Sequence, residues 1–236
     1  MNRVRILLAT AGIAVLTGLW FAFISPVDRL QGEFSRILNL HAPFMWVAFL
    51  AFGVTAFASI MWLIRRTLRW DRLAVASVEL GVVFTATGLF TGMVWGQAVW
   101  GRAWDWADPR MASTAVMFFV YIGYLALRRA IPDPEMRAKR SALLGAIAVI
   151  QVPLVYFSVN LFRSLHQTQS IRPDGATMPR EMLTALLVNF VAITYLYFAL
   201  LVGRLHLARL EEASAAETAR GPDAVTPPRL SEVKDV

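Results

Sequence analysis

The sequence predicts an all-α polytopic membrane protein: a bundle of six transmembrane helices with both termini cytoplasmic. Three observations carry that prediction. The 236 residues are 57% hydrophobic and only 17% charged, more apolar and less charged than soluble domains. Six long, nearly uncharged runs are each able to cross a bilayer's hydrocarbon core. Lys and Arg gather at the ends of those runs rather than within them.

The runs cover residues 4–24, 44–64, 73–96, 112–127, 141–162 and 182–203. The first follows Arg3 and Arg5 as a signal peptide would. Its apolar stretch is too long for one, however, and no small-residue cleavage site stands out, so it is expected to remain as a helix. The second opens on Asn39-Leu40-His41-Ala42-Pro43, where Asn39 or His41 lies near the helix start and Pro43 suits its first turn. The third contains Glu79, an acid expected close enough to the cytoplasmic interface to reach water or Arg72. In the fifth, Gln151 and Pro153 are placed to bend the helix. These spans form one domain, residues 1–210, and the Ala-, Glu-, Pro- and Ser-rich remainder, 211–236, reads as a disordered cytoplasmic tail.

The orientation follows from the basic residues. With the N-terminus cytoplasmic, Arg29, Arg36, Arg102, Arg110, Arg163, Arg172 and Arg180 face outward, and the other 16 of the 23 Lys and Arg residues face the cytoplasm. The positive-inside bias selects this arrangement. The net charge of +7 is thus a topology signal and not the footprint of nucleic acid. With no cysteine, the chain has neither disulfides nor thiolate ligands, and no C-x-x-C-H site for covalent heme. It also lacks a G-x-x-x-x-G-K phosphate loop, so any use of ATP belongs to another subunit.

Whatever the orientation, the connectors after the first, third and fifth spans share one face of the membrane. They carry His41, the stretch 95–110 and His166, whereas His206 follows the sixth span on the opposite side. The third connector reads WGQAVWGRAWDWADPRM and holds Trp95, Trp100, Trp104 and Trp106, half of the chain's eight tryptophans. An interfacial aromatic belt is one explanation. A belt is usually scattered over many helix ends, though, and these indoles are concentrated beside Gly96, Gly101 and Pro109, which disfavour a continuous helix. The alternative is a platform for a large, flat, mostly apolar ligand with a polar rim. Heme fits that description, with His41 and His166 as candidate axial ligands. Arg110, helped by Arg102 and Arg163, is a candidate partner for the propionates. Asp108 is a candidate to hold Arg110 in place, and neutralisation among these charges at headgroup depth is the competing reading.

The segments 38–46, 95–112 and 160–167 together resemble the heme exporter protein C family, also called cytochrome c maturation membrane protein C, within the tryptophan-rich heme-handling proteins. The motifs carrying the resemblance are LNLHAPFMW, the W-G, W-G, W-x-W and D-P-R elements, and NLFRSLHQ. Two departures stand out: Ala103 occupies a position where another tryptophan is common, and Ala107 is an extra residue between Trp106 and D-P-R.

The resemblance implies a multi-pass protein of the bacterial inner membrane that binds heme b on its periplasmic face and passes it to a membrane-tethered heme chaperone for cytochrome c maturation. It implies His41 and His166 as the iron ligands and Trp95, Trp100, Trp104, Trp106, Asp108 and Arg110 as the platform. The implied partners, besides the chaperone, are a small single-span subunit and a pair of ATP-binding cassette subunits. The chain itself is then a heme-delivery protein and not an enzyme, able at most to assist covalent attachment to the chaperone. A transporter moving heme or another small molecule through the bundle is the alternative; it would show paired broken helices or midplane charges, of which Pro153 and Glu79 are the only hints.

Overall fold

A computed structural model describes residues 2–168, 170–172 and 175–220. Among these, six helical spans are long and apolar enough to cross a membrane. The elements are α1 (Asn2–Ile24), a 3-10 turn (Glu33–Ile37), α2 (Leu38–Arg65), α3 (Leu68–Trp100), α4 (Pro109–Ala130), α5 (Pro134–Ala148), α6 (Gln151–Leu161) and α7 (Arg180–Arg220). Between α6 and α7 the connector carries a two-residue antiparallel ladder, Ile171–Arg172 with Gly175–Ala176.

The fifth span is made of α5 and α6 together. Pro153 has no N–H for the carbonyl of Val149 and its ring crowds that oxygen. The chain tightens into a turn there instead, with Ile150 N–H donating to Ile147 O at 3.2 Å and Val152 N–H to Val149 O at 3.0 Å. At the start of α2 the 3-10 turn runs directly into the helix, which places His41 in the first turn of α2 and Pro43 inside the helix rather than in its opening turn. Helix α7 continues past the boundary expected at residue 210 and reaches Arg220. The rest of the expected tail, 221–236, lies outside the described residues.

The core is built on close approach of α2 and α3 through Ala48, Ala51, Ala58, Ala74 and Ala76, all buried. Small residues at such seams let helices pack tightly where hydrocarbon supplies no hydrophobic drive. Phe52 stacks on Tyr121 with centroids 3.6 Å apart. Gly81 makes room for that ring, since a Cβ there would lie 2.6 Å from Phe52 Cε1. Asn189 of α7 donates to Gly18 O of α1 at 2.8 Å, satisfying a buried amide across the seam. Large apolar side chains such as Ile13, Phe23, Val83, Phe119 and Val191 cover the outside of the bundle, as a lipid-facing surface requires and a water-facing one avoids.

Charges sit away from hydrocarbon or in pairs. Arg128 holds Asp71 through two hydrogen bonds of 2.7 and 2.9 Å, tying α4 to α3. Glu79 accepts from Arg204 of α7 at 2.6 Å, whereas Arg72, expected as its partner, binds Glu212. The reason is reach: α7 lies along α3 and its basic residue arrives opposite Glu79.

Candidate functional site

One end of the bundle holds a cavity of about 610 Å³, within the usual range for small-molecule sites. His41, Trp95, Trp104, Arg110 and His166 all line it. The three segments placed on one face by parity thus bring side chains to one space from helix ends and connectors, His41 and His166 being 125 residues of sequence apart.

His41 enters from the first turn of α2 and rests on α3. Its Nδ1 lies 2.9 Å from Gly88 O. A carbonyl only accepts, so Nδ1 carries the proton and Nε2 keeps its lone pair. The ring fits because Gly92, one turn beyond Gly88, has no side chain: a Cβ there would lie 2.8 Å from His41 Cε1. Two glycines four residues apart on α3 therefore form the seat of this imidazole.

His166 is held by Asp108. The Asp108 side chain is the N-cap of α4, accepting from the backbone N–H of Arg110 and Met111 at 3.0 Å each. Its other oxygen accepts from Ser164 Oγ and Leu165 N–H, both at 2.7 Å. His166 Nδ1 stands 3.2 Å from Asp108 Oδ1 and donates to it, again leaving Nε2 unprotonated. Burial alone would raise the Asp108 carboxyl, but the Ser164, Met111 and Leu165 donors and the nearby His166 outweigh it and hold the group below its usual range. Burial also lowers His166, helped by Arg110 and opposed by Asp108, so the imidazole stays neutral to lower pH than in water. Asp108, a candidate partner for the Arg110 side chain from sequence, instead organises the helix start, the connector and the histidine.

The tryptophans divide into separate roles. Trp95 and Trp100 are not in a connector: α3 continues through Gly96 and carries both in its last turns. The helix stops at Gly101, which adopts φ 71°, the left-handed conformation that glycine takes at helix ends. Gly96 is needed for the chain to fold back, since a Cβ there would approach Arg102 O to 3.1 Å. Trp95 donates to Gln31 Oε1 at 3.1 Å. Trp100 stands edge-on to Trp95 at 4.6 Å and to His166 at 4.8 Å, supporting both from behind the cavity wall. Trp104 lines the cavity and its Nε1–H is buried with no acceptor among the described residues. Trp106 packs edge-on against Trp104 at 5.1 Å but is 68% exposed and lies outside the lining.

Arg110 also lines the cavity; among the described residues its side chain forms no ion pair, and the Asp108 carboxylate acts on it at longer range. Its surroundings also include residues that sequence reasoning did not single out. Met45, Met111 and Met178 give the cavity a polarisable lining, and Tyr156 and Phe190 close its flanks. Met45, Tyr156 and Phe190 lie within apolar runs, where nothing in the local pattern separates a cavity-facing side chain from a lipid-facing one, and Met111 and Met178 lie in the flanking segments.

The family model described as Heme exporter protein C matches residues 1–220. The chain is 35% identical over 210 residues to the Heme exporter protein C of Bradyrhizobium diazoefficiens, covering 88% of this chain and 78% of the relative. Identity to the Haemophilus influenzae protein of the same name is 32% over 206 residues, 87% and 82% of the two chains. With the Escherichia coli K12 protein, also Heme exporter protein C, it is 36% over 178 residues and 70% of each chain.

Proposed function

The chain belongs to the heme exporter protein C family, multi-pass membrane proteins with a role in heme handling for cytochrome c biogenesis, and on that premise we propose that the cavity holds heme between His41 and His166 for delivery to a partner. The observation that carries this reading is the matched state of the two imidazoles. Each is fixed through Nδ1, His41 by a carbonyl and His166 by a carboxylate, and each keeps Nε2 as a free donor on one shared cavity. That is how proteins prepare histidines for a metal, with the outer partner setting tautomer and orientation.

The remaining groups fit the rest of the ligand. Trp95, Trp104, the methionines and Phe190 offer apolar faces to a flat ring system. Among the described residues Arg110 forms no ion pair, Asp108 acting on it only at longer range, and Trp104 Nε1–H has no acceptor, so two propionate carboxylates would give each a direct partner. Heme is cargo here, and its iron supplies the bond to imidazole; the chain contributes ligation, orientation and exclusion of water. In this reading the site faces the periplasm of a bacterial inner membrane, and the excess of basic residues on the opposite side supports placing both termini in the cytoplasm. The recipient is a membrane-tethered heme chaperone, and a single-span subunit and ATP-binding cassette subunits complete the assembly. The chain's own part is delivery and not catalysis.

The test is the absorption spectrum of detergent-purified protein from heme-sufficient cells, for wild type and for His41→Ala and His166→Ala. A six-coordinate low-spin heme, lost or changed in each variant, is the expected result. Wild type without a Soret band, or a spectrum indifferent to both substitutions, would overturn the assignment.

A further inference from the structure

We propose that the ligand cavity is loaded sideways from the bilayer, through a port between α6 and α7 that continues into an apolar groove along α7. The proposal rests on the heme reading above and adds the path by which the ligand reaches the two histidines.

The port follows from helix packing. Helix α6 rests on α4, whereas α7 rests on α1, α2 and α3. The two helices flank the cavity, with Val152, Tyr156 and Phe157 on one side and Leu186 and Phe190 on the other, without a packing interface between them. Toward the aqueous end the space is roofed, by Trp104 from one connector and by Gln167, Thr168 and Met178 from another. The side is where the wall is thin: Trp46, Tyr156 and Phe157 line the cavity and are also 40–50% exposed on the outer surface.

A second groove of about 600 Å³ begins where the cavity ends and shares Trp46, Ile171 and Phe190 with it. It runs along Val191, Thr194 and Phe198 of α7, inside the apolar span, and among the described residues no charged one lines it. Such a surface suits contact with acyl chains. The throat between the two spaces is held by one hydrogen bond, from Trp46 Nε1–H to Thr194 Oγ1 at 3.3 Å, and by the edge-on contact of Trp46 with Phe190 at 6.3 Å. A long hydrogen bond and one indole are a light closure that a side-chain rotation opens.

The chemistry of the ligand suits this path. A flat apolar ring with two carboxylates on one edge settles in a leaflet with its ring among acyl chains and its carboxylates at the headgroups. Sliding edge-on between α6 and α7 keeps the ring out of water throughout. The carboxylates stay at the level where Arg110 and Trp104 receive them, and the ring reaches the histidines at the end of the movement.

The chain has no cysteine, so single-site labelling after folding tests the port directly. Thr194→Cys apoprotein in lipid nanodiscs, labelled with a bulky fluorescein maleimide, is mixed with hemin-loaded nanodiscs, and the Soret band is followed in time. Loading should slow by about tenfold or more while the final spectrum matches unlabelled protein. The same label on Val83→Cys, a lipid-exposed α3 position outside the groove, should leave the rate unchanged. Thr194→Val, which removes the acceptor for Trp46 at constant shape, should load and lose heme faster. Unchanged loading by the labelled Thr194→Cys protein would overturn the port and leave the heme site standing; if the same label instead released a single-span partner, the groove would be that partner's seat. Absence of any histidine-ligated spectrum in the unlabelled protein would overturn the heme reading and the port with it.

Discussion

Asp108 Oδ1 lies 3.2 Å from His166 Nδ1 across 58 residues of sequence, and the same oxygen caps α4. One buried carboxylate thus fixes a helix start and the proposed ligand His166 at once. Substitution separates the two duties. Asn is as good a helix cap as Asp, so Asp108→Asn should keep the start of α4, yet it removes the charge that stabilises the Nδ1–H tautomer of His166 and puts an amide N–H opposite Leu165 N–H, which Oδ2 accepts in the native protein. Heme retention should weaken by roughly 10- to 100-fold, with a changed low-spin signature in electron paramagnetic resonance. Asp108→Ala should show the same loss together with a lower thermal midpoint, because the cap is gone as well.

Gly92→Ala places a methyl group 2.8 Å from His41 Cε1. The imidazole must leave its hydrogen bond to Gly88 O, so ligation on that side should be lost or altered in the Soret and visible bands, with overpacking costing about 1–3 kcal/mol of stability. Gly123→Ala on α4 is the contrast: its Cβ would meet nothing within 4 Å, and it should leave both the spectrum and the fold intact.

Removing the Arg110 charge should matter only for ligands that carry carboxylates. Arg110→Gln is expected to weaken binding of heme by about 2 kcal/mol or more, the scale of a charge-assisted hydrogen bond, while binding of heme dimethyl ester should barely change. Titration of apoprotein with the two ligands gives the comparison. Equal losses for both would remove the propionate role.

Ligation should survive mild acid. A proton on Nε2 competes with iron, so binding falls as pH drops through the imidazole pKa. His166 is depressed by burial and by Arg110, and the loss attributable to it should therefore lie below the ordinary histidine value of about 6.5. The same sign holds for stability: a histidine kept neutral by the fold contributes fully above its unfolded pKa and loses that contribution as pH falls below it. A spectral pH titration of wild type beside His166→Ala isolates this step.

The Asp71–Arg128 pair links α3 to α4 with both side chains largely buried. Asp71→Ala should cost about 3–5 kcal/mol, because Arg128 is left without its counter-ion. Differential scanning fluorimetry in detergent should show a lower midpoint, with the heme spectrum of the surviving folded fraction unchanged.

Sequence alone determined the six spans, the grouping of His41, His166 and the tryptophan stretch on one face, and the family motifs around them. Hydropathy over some twenty residues and connector parity are local or additive properties, and they do not depend on how helices pack. Helix ends were less legible: α3 runs through Gly96 to Trp100 because packing holds a glycine in the helix against its weak intrinsic preference.

Tertiary structure decided the division of labour within the motif. Trp104 faces the cavity and Trp106 does not, Trp100 braces His166, and Asp108 serves the histidine more than the arginine. It also decided that Gly88 and Gly92 seat His41, and that Trp46 and Phe190 line both the cavity and the groove along α7. Each of these relations joins residues tens of positions apart, and in a helix that is apolar all round no periodic signal marks the side that will face a neighbour. Only the packed bundle distinguishes a side chain turned to the ligand from one turned to the bilayer.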